Sequence, residues 1–278
     1  MDVRKALRKV YAISWLSWLE LSNWTKPPIF IAYTLVRPLF TLLMYAYIYV
    51  AFVAASGRLS PEVAFYMISG ISFYNYIGNG LYGVVWVIHE EREHYRLLKY
   101  NYLALPDLQF YLASRGVIHY GIGLMLSFVT YPLGLWLLGY DPLRLRPDPL
   151  ILLANLLVGY VWCTSLGVAL AATSLFSAEW GPLISESMGG LLFLVGSVLF
   201  PAERLPYWLR PVVDALPMRE WMEVTRHALN AGYRVDVIGL LGSESLKAVI
   251  YAVASTAFFK AIDRLVRAKG YLEATTEH

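Results

Sequence analysis

Residues 89–94 carry the densest set of side chains that could bind a metal. They read His-Glu-Glu-Arg-Glu-His, which resembles the HExxH pattern of zinc proteases. The second histidine comes one position too late, because side chains five residues apart on a helix point about 140° apart. We therefore expect no zinc site here. We expect the carboxylates of Glu90, Glu91 and Glu93 to face water or the basic surface of a partner.

Residues 78–83 match GxGxxG, the glycine pattern of dinucleotide-binding loops. That pattern binds a cofactor only between a strand and a helix. Here it lies inside an uncharged apolar stretch, where close packing of helices is the better explanation. The chain contains no GxxxxGK[ST] loop for ATP. It has one cysteine, Cys163, which excludes a disulfide framework or a cysteine metal cluster within one chain.

Six further side chains with polar groups fall within long apolar stretches, where such residues are often functional. These candidates for a translocation path are Arg37, Tyr74, Asn75, Asn79, His119 and Glu186. Asn75 and Asn79 are one turn apart and share a helix face. For Arg37, snorkelling of the side chain to the headgroups is an equal alternative. For Asn75, Asn79, His119 and Glu186, hydrogen bonding between helices explains the residue types at least as well. Tyr74 lies too deep in its stretch to be an interface anchor.

The composition defines the setting of these residues. Of the 278 residues, 58% are hydrophobic and 15% are charged, against roughly 25% charged in an average soluble domain. A soluble core of this length cannot hide so much apolar surface, and disorder requires the opposite composition. The net charge of +3 gives no case for a nucleic-acid partner. The sequence therefore predicts a protein embedded in a lipid bilayer.

Five apolar stretches reach the length of about 20 residues that a bilayer core requires. They are residues 29–55, 65–88, 116–139, 150–176 and 182–200. A sixth, 243–262, is weaker, but Lys247 and Lys260 can snorkel to opposite interfaces. We predict an all-α polytopic membrane protein of six transmembrane helices. Because Lys and Arg are more frequent in the loops that an inner N-terminus places inside, we expect cytoplasmic termini and a cell-membrane location.

Residues 1–26 precede the first apolar stretch and predict an interfacial helix. Trp15 and Trp18 lie on its apolar face, and Lys5 and Lys9 lie on the opposite face. An apolar face with tryptophans and a basic polar face suit a helix in the headgroup layer. The Pro-Pro pair at 27–28 would end it. The alternative is a plain extension of the first span.

A charged and then amphipathic segment follows the second span. Leu97, Tyr100 and Ala104 fall at i, i+3 and i+7, with Leu103 beside them, and Pro106 ends the run. Connections between packed helices are typically about 2–8 residues long, so this segment is longer than a minimal turn. We predict a short cytoplasmic helix within residues 89–108 that docks a cytosolic partner. A solvated turn is the alternative.

Residues 201–233 form the long segment before the last span. Its prolines divide it into pieces that are too short and too charged to cross a bilayer; they are Pro201, Pro206, Pro211 and Pro217. Broken helices at membrane depth are tolerated where they are buried in protein or line a cavity. We predict a re-entrant helical hairpin in the outer leaflet. An amphipathic loop on the surface is the alternative.

These features together resemble the type-2 ABC exporter permeases, the membrane subunits of one class of ATP-binding-cassette transporter. The looser match is the Glu-Arg-Glu run at 91–93 with Leu-Lys-Tyr at 98–100, followed by Pro106 and Arg115. The more specific match comes late in the chain and comprises Gly196, Phe200, Pro201, Leu205, Pro206, Trp208, Leu209, Leu216, Pro217 and Arg226. The resemblance covers almost the whole chain. The family's Gly-Thr pair is missing from the cytoplasmic segment, where His94 and Tyr95 stand nearby.

The resemblance implies a single permease domain, residues 1–278, that forms an export path as a homo- or heterodimer. Each chain would present a coupling helix to a separate ATPase subunit, with contacts from Glu90, Glu91, Arg92, Glu93, Arg96, Leu97, Tyr100, Leu103 and Pro106. The partner would use ATP and Mg²⁺, and this chain would bind no cofactor or metal and would not itself be an enzyme. The alternatives are an integral-membrane lipid-modifying enzyme, a membrane scaffold, or, within the ABC class, a polysaccharide exporter rather than a drug or lipid exporter.

Overall fold

A computed structural model describes residues 3–23, 25–57, 60–105, 107–142, 145–177, 180–230 and 232–269. These residues form eleven α-helices: α1 (Val3–Ser22), α2 (Pro27–Ser56), α3 (Pro61–Val85), α4 (Val87–Glu93), α5 (Leu98–Ala104), α6 (Leu108–Leu137), α7 (Pro149–Phe176), α8 (Trp180–Val195), α9 (Arg210–Ala215), α10 (Met218–Leu229) and α11 (Val237–Lys269). Two 3₁₀ turns, Ala202–Arg204 and Tyr207–Leu209, precede α9. The same ranges contain no strand, so the prediction of an all-α fold is confirmed for them.

Short polar residues set the starts of two long helices. The Asp107 carboxylate accepts a hydrogen bond from the backbone N–H of Phe110 at 3.0 Å, at the start of α6. At the start of α7, the Asp148 carboxylate accepts from the N–H groups of Leu150 and Ile151. Such caps satisfy donors that the first turn of a helix leaves without a partner. The aspartates therefore fix where α6 and α7 begin.

Four helices of the described chain, α2, α6, α7 and α11, are long and apolar enough to cross a membrane. They indicate a multi-pass membrane protein. The six-span prediction also included α3 and α8, which do not reach the same length and apolarity. In α3 the reason is composition, because serines, asparagines and tyrosines interrupt its apolar residues. In α8 it is length, because the helix ends before Ser197, a residue with a φ of 57°.

Helix α3 lies at the centre of the bundle. It packs against α2, α6, α7, α8 and α10, and most of its side chains are buried. By contrast, α2 and α11 bury few of their side chains within the chain. Residues such as Phe40 and Tyr47 on α2 and Val253 on α11 are exposed. A polar-containing centre surrounded by apolar outer helices is the arrangement expected where lipid is the solvent.

The N-terminal segment is a helix separate from α2, because α1 ends at Ser22 and α2 begins at Pro27. It packs along α6, where the Ser14 hydroxyl donates to the Ser114 carbonyl at 2.8 Å. The Glu20 carboxylate forms an ion pair with Arg115 of α6. The chain therefore does not extend the first span as one continuous helix.

The segment at 89–108 contains two short helices instead of the single helix we predicted. Helix α4 ends at Glu93, and α5 begins at Leu98. Between them Arg96 has a φ of 54°, a left-handed conformation that a continuing helix cannot contain. The backbone N–H groups of His94 and Tyr95 both donate to the Glu90 carbonyl, which closes the end of α4.

The segment at 201–233 folds into the two 3₁₀ turns, α9 and α10. Helix α10 packs against α3, α7 and α11, and its Trp221 is fully buried. Of the prolines and aromatic residues that we singled out, Pro217 is buried, whereas Pro201, Pro206 and Trp208 are exposed. Leu205 is buried beneath them. The segment is thus packed into one end of the helical bundle through α10 and exposed at its proline-rich start.

Candidate functional site

Helix α4 is held in place by Arg92, which is only 4% exposed. Its guanidinium donates to the carbonyls of Ser174 at 2.6 Å and Leu175 at 3.0 Å, at the end of α7. Cations are stabilised at helix C-termini, where the last carbonyls have no partner within the helix. Arg92 was expected at the contact with a partner protein. The structure instead places it as the cap of a long apolar helix.

Glu91 is the second residue of α4 whose position differs from our expectation. It is 2% exposed, and it accepts a hydrogen bond from the Tyr111 hydroxyl of α6 at 2.5 Å. The prediction that it faces water is therefore wrong. Glu90 and Glu93 are half-buried. Burial raises the pKa of both Glu90 and Glu91, against the opposing effect of nearby Arg115 and, for Glu91, of its hydrogen bonds.

A matched pair of variants tests the burial of Glu91. The raised pKa means that the folded protein holds this proton to higher pH than the unfolded chain does. The stability that the group contributes is therefore present below its ordinary pKa and is lost as pH rises through the raised one. Glutamine mimics the neutral form, so Glu91→Gln should match the wild type near pH 4 and have a higher Tm at pH 8. Thermal unfolding in detergent measures this.

The control for that experiment is Glu203→Gln, since the Glu203 side chain is 66% exposed. It should follow the wild-type Tm across the same pH range. A Glu91→Gln variant that is less stable than the wild type at pH 8 would mean that the carboxylate is ionised and paired in the folded protein.

Helix α5 has one buried apolar side and one exposed apolar side. Leu98 and Tyr102 point inward, and the Tyr102 hydroxyl donates to Asp263 of α11. On the outward side, three large apolar residues are exposed: Leu97 at 47%, Tyr100 at 68% and Leu103 at 73%. Arg96 precedes them and is also exposed. We call Leu97, Tyr100 and Leu103 the α5 outer face. Pro106 lies outside the described residues.

The candidate path residues are partly brought together around α3. The Phe193 ring of α8 lies 5.8 Å from Tyr45 of α2 and 5.0 Å from Tyr74 of α3, between ring centroids. The Tyr74 hydroxyl donates to the Gly189 carbonyl of α8 at 2.6 Å. These contacts join α2, α3 and α8 into one surface, which we call the α2–α3–α8 face.

Two charged candidates are exposed beside this surface. Arg37 on α2 and Glu186 on α8 both lie near the Tyr82 hydroxyl of α3. His119 lies elsewhere, on the α6 side of α3, where its ring packs against Gly83. The structure thus groups Arg37, Tyr74 and Glu186 and separates His119 from them.

The two asparagine candidates bond within their own helix. The Asn75 amide donates to the Ser72 carbonyl at 3.0 Å, and the Asn79 amide donates to the Asn75 carbonyl at 2.9 Å. Side chains of this type often return to the backbone of their own helix. These hydrogen bonds lie within α3, so they are not the bonds between helices that we gave as the alternative. Both asparagines are half-buried on α3.

Arg226 of α10 is fully buried and joins three parts of the chain. It donates to backbone carbonyls of α3 and of the stretch after α8, and it pairs with Glu223 at 3.1 Å. The family resemblance includes Arg226 as part of the outer segment, residues 201–233. Its complete burial indicates a structural role.

Two charged residues of α11 have side-chain partners on other helices. Glu244 of α11 is fully buried and accepts a hydrogen bond from the Trp162 indole of α7 at 3.2 Å. Lys247, which we expected to snorkel to an interface, donates to the Glu220 carboxylate of α10 at 2.5 Å. The i, i+3 spacing of Glu244 and Lys247 gives no sign of these partners, because both come from other helices.

A scan against protein-family models and a search of the curated proteins find no match to this chain.

Proposed function

We propose that this chain is the permease subunit of an ATP-driven exporter of the type-2 ABC class, in the cell membrane with both termini in the cytoplasm. In this proposal α3 and α8 complete six spans with the four apolar helices. Helix α1 lies in the headgroup layer, and residues 201–233 form a re-entrant hairpin in the outer leaflet. The observation that carries the proposal is the α5 outer face, which is apolar and exposed on a segment anchored to three long helices.

The anchors of this segment explain how force could pass from a partner to the membrane helices. Glu91 contacts Tyr111 of α6, and Arg92 caps the end of α7. Tyr102 contacts the last third of α11. Since α4 and α5 are joined by only a few residues, a push on α5 would reach α6, α7 and α11 together. Coupling of this kind requires a contiguous chain of packed contacts, which these residues supply.

The α5 outer face has the properties of a protein-binding surface. Large apolar side chains that stand exposed together mark interaction sites in soluble regions of proteins. Tyrosine is one of the residue types that carry most binding energy at interfaces, and Leu97 and Leu103 add apolar area on either side of Tyr100. In the proposed complex this face contacts a separate ATPase subunit, which binds ATP and Mg²⁺.

The α2–α3–α8 face supports a dimer of permease chains. Arg37 and Glu186 are exposed on helices that are otherwise apolar, and charges facing lipid are costly. A second copy of the chain placed against this face would remove these charges from lipid and enclose an aqueous path. In the proposed dimer Arg37, Tyr74 and Glu186 line that path.

The decisive experiment is co-purification of the tagged chain with ABC ATPase subunits that are co-expressed one at a time. We expect one of them to form a stable complex. Serine at all three positions of the α5 outer face should weaken that complex by about a hundredfold or more, because truncating the tyrosine alone costs about 2 kcal/mol and the loss of the two leucines adds to it. Charge reversal at Glu91 is not a suitable test of the ATPase contact, since it would bury an unpaired cation within the fold.

The matched control is the double variant Tyr207→Ser and Trp208→Ser. These residues are 81% and 63% exposed, and the proposal places them on the opposite side of the membrane. The control should bind the ATPase as the wild type does. If no ABC ATPase binds, or if the triple serine variant binds undiminished, the assignment of α5 is wrong.

A further inference from the structure

A cavity of about 50 Å³ lies between α1, α3, α4 and α6. Its charged lining residues come from three of these helices: Glu20 from α1, Glu90 from α4 and Arg115 from α6. Trp86, in the turn between α3 and α4, and His119 of α6 also line it. Because α1 forms one wall, the cavity lies beneath the helix that we place in the headgroup layer.

Two residues of the cavity lining, Arg115 and Trp86, have buried hydrogen-bond donors that the described part of the chain leaves without acceptors. Arg115 is 3% exposed, and one of its terminal nitrogens pairs with Glu20. Among the residues that the structure describes, its Nε and Nη1 atoms have no hydrogen-bond partner, and neither has Nε1 of Trp86. Buried donors of this kind are rare in folded proteins, and each calls for an acceptor that the chain itself does not supply. These atoms favour a ligand with acceptor oxygens.

The cavity also carries negative charge. No hydrogen bond to the Glu90 carboxylate occurs within the described residues, and Glu20 has only one partner, Arg115. A free anion bound to Arg115 would lie beside two carboxylates and be repelled by them. A free cation would leave the donors of Arg115 and Trp86 without acceptors. A ligand with a single charge therefore cannot pair with both the Glu90 carboxylate and the donors of Arg115 and Trp86.

We propose that this cavity binds a small zwitterion in which an ammonium group is joined to a phosphate or carboxylate group. Glu90 receives the ammonium, and Arg115 and Trp86 donate to the acceptor oxygens. The membrane offers this chemistry in the headgroup of phosphatidylethanolamine. Helix α1 supports that source, because its exposed Leu7, Tyr11 and Trp15 suit a helix embedded among headgroups. The proposal rests on the position of α1 at the membrane surface and requires no ATPase partner.

Native mass spectrometry of the chain alone in detergent tests this, with dioleoyl lipids that differ only in their headgroup. Phosphatidylethanolamine should be retained at least tenfold more than phosphatidylcholine, whose quaternary nitrogen has no N–H to donate. It should also exceed phosphatidylglycerol, which has a phosphate and no ammonium. Glu90→Gln should reduce its retention about tenfold, the scale expected for one hydrogen bond to a charged group. Trp86→Phe should reduce it by a smaller factor.

Glu203→Gln, an exposed change of the same type on the outer segment, is the control and should retain the lipid as the wild type does. Thermal unfolding with soluble phosphoethanolamine separates the two sources. A rise in Tm that is lost in Glu90→Gln, without selective lipid retention, would assign the cavity to a soluble zwitterion. Equal retention of the three lipids and no effect of phosphoethanolamine would overturn the proposal and leave the cavity to water. That outcome would not affect the docking of α5, because no ATPase takes part.

Discussion

Replacing Arg226 with lysine is expected to destabilise the folded protein by about 3–5 kcal/mol, although the charge is kept. The reason lies in the number and direction of the bonds that the guanidinium makes. One terminal nitrogen donates to the carbonyls of Ser197 at 2.5 Å and Val198 at 3.1 Å, and to that of Tyr66 at 3.2 Å. The other donates to the Glu223 carboxylate at 3.1 Å. A lysine ammonium cannot reach these acceptors from one point.

The surroundings of Arg226 leave no room for a compensating shift. Its guanidinium carbon lies 3.4 Å from the centre of the Tyr66 ring, and the residue is fully buried. A Cβ added at Gly70 of α3 would lie 1.9 Å from the Val198 carbonyl oxygen, so the chain after α8 touches the backbone of α3. Water cannot replace the lost bonds in so close a contact. Each carbonyl left without a donor adds about 1–3 kcal/mol.

The unfolding free energy in mixed detergent micelles measures the loss. The control is Arg219→Lys, also on α10, whose ion pairs with Glu203 and Asp214 are exposed. Exposed pairs of this kind contribute about 0–1 kcal/mol, so the control should unfold almost as the wild type does. If the two lysine variants lose equal stability, Arg226 does not join the three segments as described.

The long apolar helices could be predicted from the sequence because hydrophobic length is a local property. The stretches behind α2, α6, α7 and α11 each reach the membrane length on their own residues. Helix α3 is harder to assign, since tyrosines such as Tyr74 have hydrogen-bond partners distant in sequence. The outward side of α5 could also be predicted, because Leu97, Tyr100 and Leu103 follow a local helical spacing.

The burial of the charged residues could not be predicted, because their partners come from distant parts of the chain. Arg92 donates to carbonyls that lie 82 and 83 residues away along the chain. The dense charge at 89–94 therefore indicated a solvated surface, whereas the fold buries Glu91 and Arg92 against α6 and α7. The same holds for Arg115, whose partner Glu20 belongs to a helix that we expected to lie on the membrane surface.

Gly123→Ala is expected to cause the second large loss of stability. The added methyl group would push apart α3 and α6, the two helices with the most extensive contact. A Cβ at position 123 would lie 2.5 Å from the backbone oxygen of Asn75 and 2.9 Å from the Cα atom of Tyr76. Both are backbone atoms of α3, so neither can rotate away. The helices must move apart, and overpacking of this kind costs about 1–3 kcal/mol or more. Small residues commonly permit such close contacts between membrane helices.

Gly121 on the same helix provides the matched control, since a Cβ there would meet nothing within 4 Å. Gly121→Ala should be neutral or stabilising by up to about 1 kcal/mol, because alanine favours a helix over glycine. The unfolding free energy of Gly123→Ala should therefore be lower than that of Gly121→Ala by about 1–4 kcal/mol. Equal values would mean that α3 and α6 are not in direct backbone contact at this point.

The Gly123 contact also bears on the proposed path, because the oxygen that it approaches belongs to Asn75, one residue after Tyr74. Moving α3 away from α6 would shift Tyr74 relative to Gly189 of α8, whose carbonyl accepts its hydroxyl at 2.6 Å. The α2–α3–α8 face would then change shape while the α5 outer face stayed intact. In the proposed exporter, Gly123→Ala should therefore still bind the ATPase but lose transport at a temperature where it remains folded. Loss of both together would mean that the variant affects folding alone.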